Sequence, residues 1–150
     1  MSRFVSCGKL RSLDGDGLVF PDFLRPKDGI FRGNLTITND MLDKNGRLKF
    51  KPKEVTGDFR CYDIPKLTSL EGAPKTVGGD FWCNYTNISS LEGGPKTVDG
   101  DFWCNDNPKL TSLKGAPKTV VKNFYIQNTG RQFTEEEVRA VCDVKGKVYV

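Results

Sequence analysis

The chain of 150 residues contains no histidine, which removes the commonest general base and the commonest metal ligand together. No apolar run approaches the roughly 18 to 20 residues needed to cross a bilayer. The opening stretch MSRFVSCGKLRSLDGD has no uninterrupted apolar segment of signal-peptide length. Five cysteines are present, an odd number, and none of them forms the close C-x-x-C pair used by zinc sites. A Gly-rich phosphate loop and a Ser-His-Asp set are missing as well. These absences predict a soluble cytoplasmic protein with reduced thiols, no metal, no cofactor and no enzymatic activity.

What the chain does have is turns and a repeat. Sixteen glycines and eight prolines accompany 37% hydrophobic and 28% charged residues, a globular composition shifted toward turns. The net charge of +4 would permit nucleic-acid binding, but the lysines are scattered rather than gathered in one run. Aligned on a phenylalanine, residues 55–76 (VTGDFRCYDIPKLTSLEGAPKT), 77–97 (VGGDFWCNYTNISSLEGGPKT) and 98–119 (VDGDFWCNDNPKLTSLKGAPKT) are copies of 22, 21 and 22 residues. A partial copy, VVKNFYIQNTG, follows at 120–130. A degenerate one at 33–40 (GNLTITND) resumes at 48–55 with Leu48, Pro52 and Val55 in register, and Cys7, Leu10, Leu13 and Gly15 echo the pattern near the start. Self-similarity at such a period is the mark of stacked repeats.

In each copy Asp-Phe-x-Cys reads as a short strand, with Phe and Cys on one face and their neighbours on the other. Stacked copies give a parallel sheet. Leu-x-x-Leu-x-Gly-x-Pro then turns the chain and returns two leucines to the core; Gly72, Gly93 and Gly115 supply unusual backbone angles, and Pro74, Pro95 and Pro117 discourage helix. Val55, Val77, Val98 and Val120 close the core before the next strand. The return side is expected to be extended or irregular. At the far end, Thr134 is the N-cap of a helix running to about Cys142, with Glu137 as its capping-box partner, and residues 147–150 form a last strand. The stretch 14–32 fits no rung, and Asn45-Gly46 marks a turn within a longer one. The predicted organisation is one domain: an N-terminal cap over 1–32, repeats over 33–130, and a C-terminal cap over 131–150.

The frame of Phe102, Cys104, Asn107, Leu110 and Leu113 resembles the leucine-rich repeat, with one residue inserted after the asparagine. The predicted fold class is therefore mainly β, a leucine-rich-repeat-like solenoid of short parallel strands with a short capping helix and a final strand. The phrase LTSLEGAPK (67–75) followed by Val-Gly-Gly-Asp-Phe-x-Cys is similar to the tandem segments of small leucine-rich-repeat-like proteins encoded by tailed bacteriophages. It is similar more loosely to the repeats of secreted bacterial leucine-rich effectors, which place proline directly after the second leucine. The phage resemblance covers roughly residues 31–130. It implies an accessory protein made in an infected bacterium that engages or neutralises a host protein, and it brings no catalytic residues with it.

The outer strand face carries the candidate site. Its central column is Thr36, Arg60, Trp82, Trp103 and Tyr125; before it stand Asn34, Asp58, Asp80, Asp101 and Asn123, and after it Thr38, Tyr62, Asn84, Asn105 and Gln127. Both tryptophans fall on neighbouring rungs about 4.8 Å apart, a spacing that suits stacked rings. Trp, Tyr and Arg are the residue types most enriched at binding hot spots, so the predicted partner-binding set is Arg60, Trp82, Trp103, Tyr125, Asp58, Asp80, Asp101, Tyr62, Asn84 and Asn105. The alternative is a ladder that only braces the sheet, or one covered by the N-terminal segment or by a second subunit. The acidic column disfavours phosphate backbones and suits a basic protein surface or a sugar. A host protein is the expected partner; self-association, as in a virion component, is the alternative, nucleic acid and carbohydrate rank behind, and no membrane is expected. Cys61, Cys83 and Cys104 share a column with Ile37 and Ile126, which points to core packing. Lys75, Lys96 and Lys118 form a second, charged ladder of the kind that usually marks a solvated face.

Overall fold

Alternation along Asp-Phe-x-Cys places one side chain in and the next out, and in the computed structural model, which describes residues 4–6, 11–13, 17–19, 26–49 and 51–150, this alternation builds a parallel β-solenoid. One sheet has seven strands in the order β1 (Phe4–Ser6), β5 (Asn34–Thr36), β7 (Phe59–Arg60), β9 (Phe81–Trp82), β11 (Phe102–Trp103), β13 (Phe124–Tyr125) and β15 (Val148–Tyr149). Its register is the one the repeat alignment requires: Phe59, Phe81, Phe102 and Phe124 are successive partners, and so are Arg60, Trp82, Trp103 and Tyr125. The phenylalanines are fully buried and stack on one another, with ring centroids 5.3, 5.2 and 4.9 Å apart.

The return side is more ordered than the sequence suggests. The three Thr-Val pairs and the matching pairs of the other rungs form a second parallel sheet of six strands, β4 (Ile30–Phe31), β6 (Glu54–Val55), β8 (Thr76–Val77), β10 (Thr97–Val98), β12 (Thr119–Val120) and β14 (Asp143–Val144). Val55, Val77, Val98 and Val120 point inward and are fully buried. Between the sheets, Gly72, Gly93 and Gly115 take φ of 95°, 83° and 85°, the left-handed angles for which glycine is suited. Pro74, Pro95 and Pro117 are buried.

The beginning of the solenoid also extends further than the repeat-based boundary. Strand β4 lies inside the stretch expected to be cap, and Phe31 holds the buried place taken by valine in later rungs. The pairing of β1 with β5 carries the register back to Phe4. An antiparallel hairpin, β2 (Arg11–Leu13) and β3 (Gly17–Val19), intervenes. Cys7, Leu10 and Gly15, and the side chain of Leu13, lie outside the described residues. At the other end α1 (Glu135–Val141) has the expected capping box between Thr134 and Glu137. Arg139 ties it to the strands that follow by donating to the carbonyls of Val144 and Gly146. Among the described residues no helix is long and apolar enough to cross a membrane.

Cys61, Cys83 and Cys104 are fully buried in the core column that also holds Ile37 and Ile126. Burial pushes all three thiols well above the ordinary range, and two donate to the next rung, Cys83 Sγ to Trp103 O at 3.2 Å and Cys104 Sγ to Tyr125 O at 3.3 Å. They pack as small apolar groups, and no cluster of three potential metal ligands occurs among the described residues.

Candidate functional site

The outer face of the seven-stranded sheet stacks its aromatic side chains because parallel pairing repeats each position at one strand spacing. Trp82 and Trp103 lie with ring centroids 4.9 Å apart and planes 12° off parallel. Trp103 and Tyr125 follow at 3.7 Å and 3°, and Tyr125 and Tyr149 at 4.7 Å and 4°. All four rings are half-buried. Tyr149 extends the ladder by a rung that column reading did not reach; the signal was available in Gly146-Lys147-Val148-Tyr149, which aligns with Gly-Asp-Phe-Trp. Arg60 precedes Trp82 in the column, and its guanidinium is held 2.8 Å from Asp58 Oδ2.

The acidic column has work within the fold. Asn34 Oδ1 accepts from the Asp58 amide, Asp58 Oδ1 from Asp80, Asp80 Oδ1 from Asp101, Asp101 Oδ1 from Asn123 and Asn123 Oδ1 from Lys147, at 2.7 to 2.9 Å. Each rung thus hooks its side chain onto the backbone of the next, and the residue before the hooked amide must leave room. A methyl group at Gly57, Gly79 or Gly100 would run into the hooking oxygen. Where Lys122 stands instead, the adjoining backbone hydrogen bond is 3.2 Å against 2.9 Å at Gly79 and Gly100. One carboxylate oxygen of Asp58, Asp80 and Asp101 is therefore committed to the solenoid.

Like charges one rung apart have a consequence. The Asp80 carboxyl is raised above its ordinary range by partial desolvation first and by Asp58 and Asp101 second. A folded-state value above the unfolded one means that stability increases as pH falls through that raised value and is lost above it. Asp80→Asn keeps the accepting oxygen, as Asn34 and Asn123 do in their rungs, and removes the repulsion. It is expected to hold or raise the melting temperature at pH 7 and to flatten its dependence on pH between 4 and 7. Asp80→Ala strands the Asp101 amide and is expected to cost about 1 kcal/mol or more. Thermal unfolding followed by circular dichroism compares the two; equal losses would contradict the hook.

Beside the ladder lies an open cleft of about 400 Å³ lined by Tyr62, Asp63, Trp82, Asn84 and Tyr85. Tyr62 and Tyr85 are 43% and 54% exposed, the two most exposed aromatic side chains among the described residues. The Tyr62 ring is tilted 49° to that of Trp82 at 5.7 Å. Asn84 is only 7% exposed, and its Oδ1 finds no hydrogen-bond partner; the indole nitrogens of Trp82 and Trp103 and the Oδ1 of Asn105 are likewise buried and unpartnered. The structure thus brings Tyr62, Trp82 and Asn84 of the predicted set into one cleft and leaves Trp103, Asn105 and Tyr125 along the ladder. Asp63 and Tyr85 were missed, because they sit at the turn after the strand, where alternation no longer tells which way a side chain faces.

These features define a parallel β-solenoid with a continuous aromatic ladder on one sheet and an aromatic cleft at the ladder's flank. Comparison with protein-family models, with curated proteins and with solved structures gave no match in any of the three.

Proposed function

We propose that this chain is a non-enzymatic binding module that recognises a protein partner through the outer face of its seven-stranded sheet. The observation that carries the reading is the ladder of Trp82, Trp103, Tyr125 and Tyr149, four half-buried rings in one continuous stack. Large, rigid aromatic surfaces with few rotatable bonds are the usual anchors of protein interfaces. Asp58, Asp80 and Asp101 each commit one oxygen to the next backbone amide, which favours a structural role for them over acid or base chemistry. The resemblance to phage-encoded repeat proteins supports an infected bacterium as the setting and a host protein, engaged or inhibited, as the partner.

Capture from bacterial lysate by the wild-type protein beside a Trp82→Ala, Trp103→Ala variant tests the reading. Thr36 and Arg60 occupy the same column in other rungs, so the variant is expected to fold, which far-ultraviolet circular dichroism checks. A specific partner held by wild type and lost by the folded variant is the expected result; equal capture by both would sink it. A structural, self-assembling role is the second reading, favoured by Tyr149 standing on the edge strand of the sheet. A concentration-independent monomer in light scattering would remove it.

A further inference from the structure

Rungs that share a backbone show what the solenoid itself requires, so side chains that depart from the repeat need another explanation. Two such departures meet at the cleft. The column after the tryptophans is Asn84, Asn105 and Gln127, yet Tyr62 stands there in the rung before. The turn column is Asp63, Asp106 and Asn128 at φ of 57°, 56° and 54°, and Tyr85 adopts the same left-handed angle, 57°. Asp and Asn tolerate that conformation, while a bulky residue there is strained. Strain that the fold does not demand is a pointer to function. The rung that bears Tyr85 is also the short one, 21 residues, with the shortening just beyond this turn.

The cleft's chemistry has one electrical sense. Tyr62, Trp82 and Tyr85 bring three electron-rich rings to its lining, and Asp63 brings a carboxylate. Among the described residues no lysine or arginine lines it, and the neighbouring Arg60 is already held by Asp58. A sugar needs a flat, open aromatic platform. One face of Trp82 is covered by Trp103 at 4.9 Å, and the Tyr62 ring stands 5.7 Å from it at a 49° tilt, which makes a wedge instead. A wedge of rings with an acid at its side is the arrangement that holds an organic cation.

We propose that this cleft is an aromatic cage for a basic side chain, arginine or lysine, presented by the protein partner. The inference rests on the partner-binding reading and gives that partner a chemistry. Tyr62, Trp82 and Tyr85 surround the cation, and Asp63 balances its charge. The adjoining acids Asp80 and Asp101, each with one oxygen not bonded to the next rung, make the same face hospitable to a basic surface.

The test uses the full chain and two substitutions that restore the repeat, Tyr62→Asn and Tyr85→Asn. Both place a residue type already found in that column, so the double variant is expected to fold and to melt no lower than wild type. Nuclear magnetic resonance follows the Trp82 indole N–H while methylguanidinium chloride, a Gly-Arg-Gly-Arg-Gly peptide, its lysine counterpart, its glutamate counterpart or a neutral oligosaccharide is added. Saturable shifts at Trp82 with the basic probes, absent with glutamate and weakened on the order of tenfold in the double variant, are the expected result. Unchanged affinity in the folded double variant would overturn the cage, and so would no response of wild type to any cation or an equal response to the glutamate peptide or a neutral oligosaccharide. If the cage fails while Trp82→Ala, Trp103→Ala still abolishes partner capture, the binding face stands without it; if capture survives that variant too, both readings fall.

Discussion

Asn107→Ala is expected to lower the free energy of unfolding by about 3 kcal/mol, a large effect for a polar residue. Asn107 is fully buried. Its Oδ1 accepts from the Thr86 amide at 2.7 Å and faces the Thr86 hydroxyl at 2.8 Å, and its Nδ2 donates to the carbonyls of Cys83 at 3.1 Å and Cys104 at 3.0 Å. Truncation takes these partners from the Thr86 amide and the Cys104 carbonyl at once, while the Cys83 carbonyl keeps the Thr86 hydroxyl. Each buried group left without a partner costs roughly 1 to 3 kcal/mol. Asn107→Asp separates hydrogen bonding from packing: the shape survives, but a carboxylate cannot donate to the two carbonyls. It is expected to lose at least as much as alanine at pH 7 and to recover part of the loss in acid, where the protonated group regains one donor. Urea denaturation at pH 7 and pH 4 measures both, and a loss below about 1 kcal/mol for Asn107→Ala would show that the network is dispensable.

Phe102→Ala is expected to cost about 3 to 5 kcal/mol, comparable with the 5 to 15 kcal/mol that holds a typical domain together. The Phe102 ring lies between those of Phe81, 5.2 Å away, and Phe124, 4.9 Å away. Removing it leaves a void that neighbours fixed by the register of two strands cannot close. Trp103 is the next residue along the chain and faces the other way, half-buried in the outer ladder. Trp103→Ala is therefore expected to spare most of the stability and to act on binding. Denaturation midpoints of the two variants give the comparison; similar losses would mean that the outer ladder is as much a core as the inner one.

The sequence carried the rung clearly because three features coincide in it. Phe and Cys alternate with polar neighbours, the left-handed glycines recur at one offset, and the copies are long enough to align. The C-terminal helix was legible from Thr134 and Glu137, whose spacing is itself the cap. The second sheet was not, since Thr-Val offers a single in-out step and follows Pro-Lys, which reads as turn. Strand β4 escaped for a related reason: Phe31 stands where later rungs have valine, and Asp28-Gly29-Ile30 replaces Pro-Lys-Thr. In the candidate site, strand alternation placed Trp82, Trp103 and Tyr125 correctly on the outer face. It said nothing of Asp63 and Tyr85, whose direction depends on a left-handed turn. The Asp column looked like a ligand surface in one dimension; only the three-dimensional stacking shows one oxygen of each side chain bonded to the next rung.

The hook from each Asp or Asn to the following amide has a bearing on how such a chain can change length over generations. Donor and acceptor are of the same kind at successive joints, so a gene segment encoding one rung can be duplicated or lost by unequal crossing-over, and the new joint closes with the old chemistry. Growth of this sort is structurally cheap beyond residue 98. It is not cheap between Tyr62 and Tyr85, which belong to different rungs and meet only because those rungs are neighbours: an extra rung inserted there would leave a well-folded solenoid whose cleft had been taken apart.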